Sequence, residues 1–279
     1  MEIGILSDEI SLDLEEALEE GARLGFTHYE LRCLDDYEHR VPRFKDGRLE
    51  AVEAAVKSGR MNITGVSPGL FKGDLHDEET VEHQLETLLP ETCQITRDLD
   101  SDLIIVFAFE DTGIADRARA MQKLARAADI CAGYDIRLAI ENEPGMYCDT
   151  GVKTAVFVEE LNKDNSGINW DPGNACSAGE AAYPIGYEAV RSRLLNVHIK
   201  DTIPIPPDKW ENRLIGDGGV NWVGQFHALK RDAILSHLTL ETHVFPLIES
   251  TREDIRRIRL MMDWVDTFFP SSNSDETGS

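Results

Sequence analysis

The segment LLNVHIKD, residues 194–201, places Asn196, His198 and Lys200 at every second position of an otherwise apolar run. A strand buried on both faces normally reads as a continuous hydrophobic stretch, so polar side chains at alternate sites mean that one face looks onto something other than apolar core. Three other segments end in the same way. In RLAIENEPG, Leu138 and Ile140 alternate with Glu141; in GINWDPGN, Ile168 and Trp170 alternate with Asp171; in HLTLETHV, Leu238 and Leu240 alternate with Glu241. Read as strands of one barrel, with Leu195, Val197 and Ile199 turned outward, the four aim Glu141, Asp171, His198 and Glu241 at one region. Three carboxylates in a confined mouth repel one another unless a cation neutralises them. Three oxygen donors and one imidazole suit a six-coordinate Mn²⁺, Mg²⁺ or Co²⁺ better than a sulfur-bound structural zinc, with two positions left for substrate oxygens. One divalent metal, Mn²⁺ first and Zn²⁺ still open, is therefore expected. Each residue alone could equally cap a helix or sit as a satisfied core histidine; four in phase favour a shared ion.

Holding four such strand ends together requires a closed sheet. Apolar, often β-branched runs recur at about 2–7, 27–32, 61–67, 102–109, 136–141, 167–171, 194–200 and 237–242. Segments with helical spacing, such as LEEALEEGARLG and DRARAMQKLARAADICAG, lie between them. Eight strands alternating with helices predict an α/β fold, a (β/α)8 TIM barrel over residues 1–270 in a single domain, followed by a disordered polar tail at 271–279. The rival doubly wound dinucleotide fold needs a glycine fingerprint after the first strand, where this chain has SDEIS. The long connection from Asp201 to about Gly219 would lie at the catalytic rim of a barrel and reads as a lid or as an ordinary surface excursion.

Composition narrows the function classes. The 279 residues carry 28 Lys and Arg against 52 Asp and Glu, a formal charge of −24, which repels nucleic acid and anionic membrane surfaces. The five cysteines are scattered without a C-x-x-C pair, so neither a disulfide framework nor a structural zinc site is expected, and a reducing cytoplasm fits. LIIVFAF, at 103–109, is too short to span a bilayer, and the N-terminus carries acids where a signal peptide would carry bases.

In its ordered motifs the chain resembles the xylose isomerase-like sugar (phosphate) isomerases and epimerases. The resemblance runs through GILSDEI, YELR, VSPGLF, ENEPG, NWDPGN, NVHIKD with GDGGVNW after it, and LETH. It implies that Glu141, Asp171, His198 and Glu241 bind one divalent metal, that Glu141 and Glu241 are the acid/base pair, and that a homo-oligomer is possible. A cation near a carbonyl and its neighbouring hydroxyl favours a cis-enediolate, and a carboxylate within reach removes the proton. Return at the neighbouring carbon gives isomerisation, and return on the other face gives epimerisation.

Around this centre Glu30, Arg32, Glu143, Lys200 and Asp201 are candidate substrate-hydroxyl or supporting groups, with a structural ion pair the favoured reading for Glu30 and Arg32. Asn174 stands where some members of the superfamily carry a His. Phe71 and Trp210 could cover an apolar sugar face. GDGGVNW could cradle a phosphate or be a plain turn. GVSPG, at 65–69, matches a hydrolase elbow, but the residue after Ser67 is Pro68, which has no N–H to offer an oxyanion; Ser67 remains a substrate-contact or turn residue.

The expected partner is thus a small sugar or sugar-like polyhydroxy ketone, with no nucleic acid and no membrane. A dehydratase, a phosphodiesterase of the abasic-site endonuclease kind and a non-catalytic sugar-binding protein are the alternatives.

Overall fold

The computed structural model describes residues 1–206 and 209–270, so the expected tail at 271–279 lies outside the described residues. Eight parallel strands close into a barrel: β1 (Glu2–Leu6), β2 (His28–Leu31), β3 (Asn62–Val66), β4 (Leu103–Val106), β5 (Arg137–Glu141), β6 (Ser166–Trp170), β7 (Leu194–Ile199) and, last in the chain, β10 (His237–Leu240). Their order around the barrel is β1-β10-β7-β6-β5-β4-β3-β2, so every strand adjoins its barrel neighbours in sequence and β10 closes onto β1. The remaining pair, β8 (Asp201–Ile205) and β9 (Lys209–Arg213), is an antiparallel hairpin inside the long connection after β7.

Side-chain alternation decides what faces where. Ile140 pairs with Ile168, Trp170 with Val197, and Ile199 with Leu240, and all six are fully buried beneath the helices. The helices meet them with their own apolar stripes; in the helix Leu14–Leu24, Leu14, Ala17, Leu18 and Gly21 are the buried positions. Asp13 caps that helix by accepting the Glu16 N–H at 2.9 Å.

The interior of the barrel is divided. Its floor is apolar: Leu103, Ile105 and Ala139 pack together with Leu195. This corrects the outward placement of Leu195. The pairing slips between Ile168 and Asn169, so that Ile168 faces Leu194 while Asn169 faces Asn196, and Leu195 turns inward over Gly167. A Cβ on Gly167 would lie 2.5 Å from Leu195 Cγ, which is why this strand position has no side chain. Above the floor the interior becomes polar, with Asn169, Asn196 and Thr239 wholly buried.

The segment ETVEHQLETLLPETCQITRDL is one continuous helical stretch from Glu78 to Asp98, widened to a π-type turn over Gln84–Leu88 just before Pro90. A proline lacks the N–H that a regular turn would use, and the wider turn absorbs that loss.

Candidate active site

Glu141, Asp171, His198 and Glu241 leave the ends of β5, β6, β7 and β10 on the interior face, and one ligand atom from each lies within 4.8 Å of the others. Opposite ligands at about 2.1 Å from a divalent cation stand about 4.2 Å apart, so the cluster has the size of a coordination sphere. The strand ends are fixed locally. Asn142 accepts the Asp171 N–H at 2.9 Å and donates to the Asp171 carbonyl at 2.8 Å, tying β5 to β6. Asp171 also caps the helix Pro172–Ser177, its Oδ1 accepting the Asn174 N–H at 2.8 Å, so the capping and ligand readings of this residue are compatible. Its other oxygen, Oδ2, makes no hydrogen bond and faces the cluster.

His198 is oriented from behind. Its Nε2 lies 3.0 Å from Glu30 Oε2, which leaves Nδ1 directed at Glu141 (3.6 Å) and Glu241 (3.4 Å). Glu30 is itself held by Asn196 Nδ2 at 3.1 Å and by the Ser67 hydroxyl. The expected Glu30–Arg32 pair therefore does not form. Arg32 turns the other way, donating to Asp8 Oδ2 (2.7 Å), Glu9 Oε1 (2.6 Å) and Glu241 Oε1 (2.6 Å).

Lys200 Nζ stands 2.6 Å from Asp171 Oδ2, off the line of a hydrogen bond, and donates to Glu241 Oε2 at 2.9 Å. Burial opposes its charge, but Asp171 and Glu241 hold its pKa well above the usual value. Burial likewise raises the Asp171 carboxyl, to about 6, against the pull of Lys200. Glu241 resists its own burial and stays well below the ordinary carboxylate range because Lys200 and His243 face it. Four cationic side chains, Arg32, His198, Lys200 and His243, face six carboxylates, Asp8, Glu9, Glu30, Glu141, Asp171 and Glu241, so the mouth retains an excess of negative charge. That excess, and an Asp171 Oδ2 that meets only the Lys200 ammonium and no hydrogen-bond donor in line, fit a divalent cation.

A cavity of about 310 Å³ opens onto this cluster. Ser67, Glu143, Asn174, Lys200 and Arg32 line it, and Trp210, carried on β9, reaches over it from the hairpin. Asn174 Nδ2 donates to the Asn142 carbonyl at 2.9 Å and lies 3.3 Å from Glu141 Oε1. Glu143 pairs with Lys72 at 2.7 Å, while burial lifts its pKa.

Two expected site residues lie elsewhere. Phe71 is fully buried against Phe109, ring centroids 5.4 Å apart, and the phenylalanine that lines the cavity is instead Phe107, just past β4 and two positions beyond Ile105. Asp201 is also fully buried. Its carboxylate accepts the N–H groups of Thr202, Gly216, Gly218 and Val220 at 2.8–3.2 Å, so it knots the base of the hairpin. Those N–H groups are consequently taken, and GDGGVNW is a turn organised by a carboxylate instead of a phosphate cradle.

Asp8, Glu9 and His243 carry no expectation from the sequence. His243 Nδ1 lies 2.8 Å from Glu9 Oε1 and its Nε2 lies 3.0 Å from Glu241 Oε1; despite burial these carboxylates push it up to about 9. Continuing the strand alternation two residues past Glu241 would have found His243. Asp8 and Glu9 sit in a short turn after β1, where alternation no longer applies.

The sequence profile of the family described as "Xylose isomerase-like TIM barrel" matches residues 18–261, and the chain belongs to that family. No curated protein sequence matches it. Among solved structures, an L-ribulose 3-epimerase is 18% identical over 96% of each chain with a TM-score of 0.75. The IOLI protein with a bound zinc atom is 17% identical, covering 97% of this chain and 100% of its own, with a TM-score of 0.76. The probable 3-DHS dehydratase AsbF from Bacillus anthracis is 15% identical over 93% of this chain and 99% of its own, with a TM-score of 0.75. At these identities the likeness is one of fold. Among the described residues no helix is long and apolar enough to cross a membrane.

Proposed function

We propose that this xylose isomerase-like barrel is a divalent-metal-dependent epimerase or isomerase of a small polyhydroxy ketone, with Glu141 and Glu241 exchanging the proton. The observation that carries this reading is the placement of the two glutamates. They sit at the ends of β5 and β10, separated around the mouth by β6 and β7, and both line the cavity that opens onto the metal-sized cluster. A carboxylate on each side of a substrate can take a proton from one face and return it on the other. The sugar 3-epimerases among the structural neighbours support the substrate class.

Glu141, Asp171, His198 and Glu241 would hold the cation. When bound, it supplies positive charge where the carbonyl oxygen becomes negative and so acidifies the adjacent C–H; Mn²⁺ is the ion we assign. The remaining steps belong to side chains. Glu241, kept ionised by Lys200 and His243, can accept a proton from one face; Glu141, across the mouth, is also held below the ordinary carboxylate range by His198 despite its burial, and so must take up from solvent the proton it returns on the other. Lys200 bridges Glu241 and Asp171 and offsets part of their charge. Trp210 and Phe107 supply apolar surface to the cavity wall.

Lys200 also supports a second reading. An ammonium in the mouth can donate a hydrogen bond to a β-hydroxyl and favour its departure, which would turn the same enolisation into a dehydration, and one structural neighbour is a probable dehydratase.

The test is solvent exchange: Mn²⁺-loaded protein in D₂O with a panel of ketoses, followed by NMR. Deuterium at the carbon beside the carbonyl, lost in Glu141→Gln and Glu241→Gln variants that remain folded, is the expected result. Mass loss of one water would instead select the dehydratase, and full activity in both variants would end the proposal.

A further inference from the structure

Six cationic side chains line the cavity, and five of them are matched to carboxylates. Arg32 meets Asp8, Glu9 and Glu241; Lys72 meets Glu143; His198 meets Glu30; Lys200 meets Asp171 and Glu241; His243 meets Glu9 and Glu241. The sixth is Arg40. Among the described residues no carboxylate lies within salt-bridge distance of it, and its Nε donates to the Tyr37 carbonyl at 3.3 Å. In a chain with 52 acids and 28 bases, an arginine at a cavity mouth without an acidic partner departs from the pattern set by its neighbours.

The backbone around Arg40 is fixed. Arg40 bridges Cys33 in an antiparallel pair, the following Val41 N–H donates to the Arg32 carbonyl at 3.0 Å, and Val41 is buried. The guanidinium rests against Gly69 in the loop after β3, where an added Cβ would come within 3.0 Å of Nη1. The side chain is therefore held over the cavity, with its donor fork left for a ligand.

We propose that the substrate carries a carboxylate group, which Arg40 receives at the rim while the glutamate pair works below. This rests on the cavity being the substrate site. A guanidinium offers two parallel N–H donors that match the planar geometry of a carboxylate. The same fork fits a phosphate, but the backbone N–H groups that commonly complete a phosphate site are not on offer, because the glycine turn that could have supplied them is already held by Asp201.

The experiment is calorimetric titration of the Mn²⁺-loaded protein with D-gluconate, D-glucitol and D-glucitol 6-phosphate, six-carbon polyols with a carboxylate, no charge and a phosphate. It is run on the native chain and on Arg40→Gln and Arg40→Lys. The expected result is that gluconate binds more tightly than glucitol, that Arg40→Gln weakens gluconate by about tenfold or more while leaving glucitol unchanged, and that Arg40→Lys recovers part of the loss. Gluconate binding that is no tighter than glucitol, or that Arg40→Gln leaves unaltered because the acid sits on the metal, overturns the proposal. Preference for the phosphate, lost in Arg40→Gln, also overturns the carboxylate assignment and transfers the role to a phosphorylated substrate. Since none of these ligands needs to be turned over, the outcome is independent of the D₂O exchange test.

Discussion

His198 Nε2 lies 3.0 Å from Glu30 Oε2, a contact made deep inside the barrel between β7 and β2. It fixes the ring so that Nδ1, the nitrogen nearer the strand, faces Glu141 and Glu241. Carboxylates behind metal-binding histidines set both the ring orientation and the basicity of the ligating nitrogen.

Replacing Glu30 with Gln should leave the barrel folded and weaken Mn²⁺ binding by about 10- to 100-fold. Metal titration of the variant, with circular dichroism as the control for folding, checks this. Unchanged affinity would show that His198 is oriented by Asn169 and the barrel wall alone.

Asp201→Ala should remove the acceptor shared by four backbone N–H groups at the base of the hairpin. Leaving several such donors without a partner costs about 2–4 kcal/mol, focused on residues 214–220. Hydrogen exchange should rise in that segment and in β8–β9 while the eight barrel strands stay protected. Protection that is unchanged throughout would mean that the turn holds itself.

Gly167→Ala should destabilise the chain by about 1–3 kcal/mol, because the new methyl meets both the Arg193 carbonyl and Leu195 Cγ at 2.5 Å. Denaturant unfolding measures it, and the paired variant Gly167→Ala with Leu195→Ala should recover only the side-chain part of the clash. A neutral single variant would contradict the inward turn of Leu195.

Asp254, fully buried on the C-terminal helix Leu247–Phe268, accepts the Ile215 N–H at 2.7 Å through Oδ1, while Oδ2 has no partner; burial pushes its pKa up to about 7 from 3.8. An acid whose folded pKa is raised stabilises the fold fully below its unfolded value, and that contribution is lost as the pH rises through the folded value. A shift of about 3 units corresponds to on the order of 2–4 kcal/mol. Asp254→Asn should therefore be more stable than the native chain at pH 8 and lose that advantage near pH 5. Equal pH profiles for the two proteins would place the Asp254 titration elsewhere.

The alternation of apolar and polar residues was enough to identify the barrel and to put Glu141, Asp171, His198 and Glu241 on one face, because side-chain direction in a strand depends only on position along it. The same logic, extended one step, reaches Phe107 and His243. It could not show that Leu195 turns inward, since the slip between β6 and β7 is a property of the pairing and not of either strand. Nor could it distribute the charges. Glu30 and Arg32 are two residues apart and read as partners, yet the barrel carries Glu30 to His198 and Arg32 to Asp8, Glu9 and Glu241. Asp201 follows the inward-facing Lys200 and begins β8, so alternation itself turns it from the cavity, whereas Phe71 lies in a loop, where no period constrains direction. The periodic elements were written in the sequence; which distant charges meet, and which of the two cavity arginines has no carboxylate beside it among the described residues, was decided only when the sheet closed.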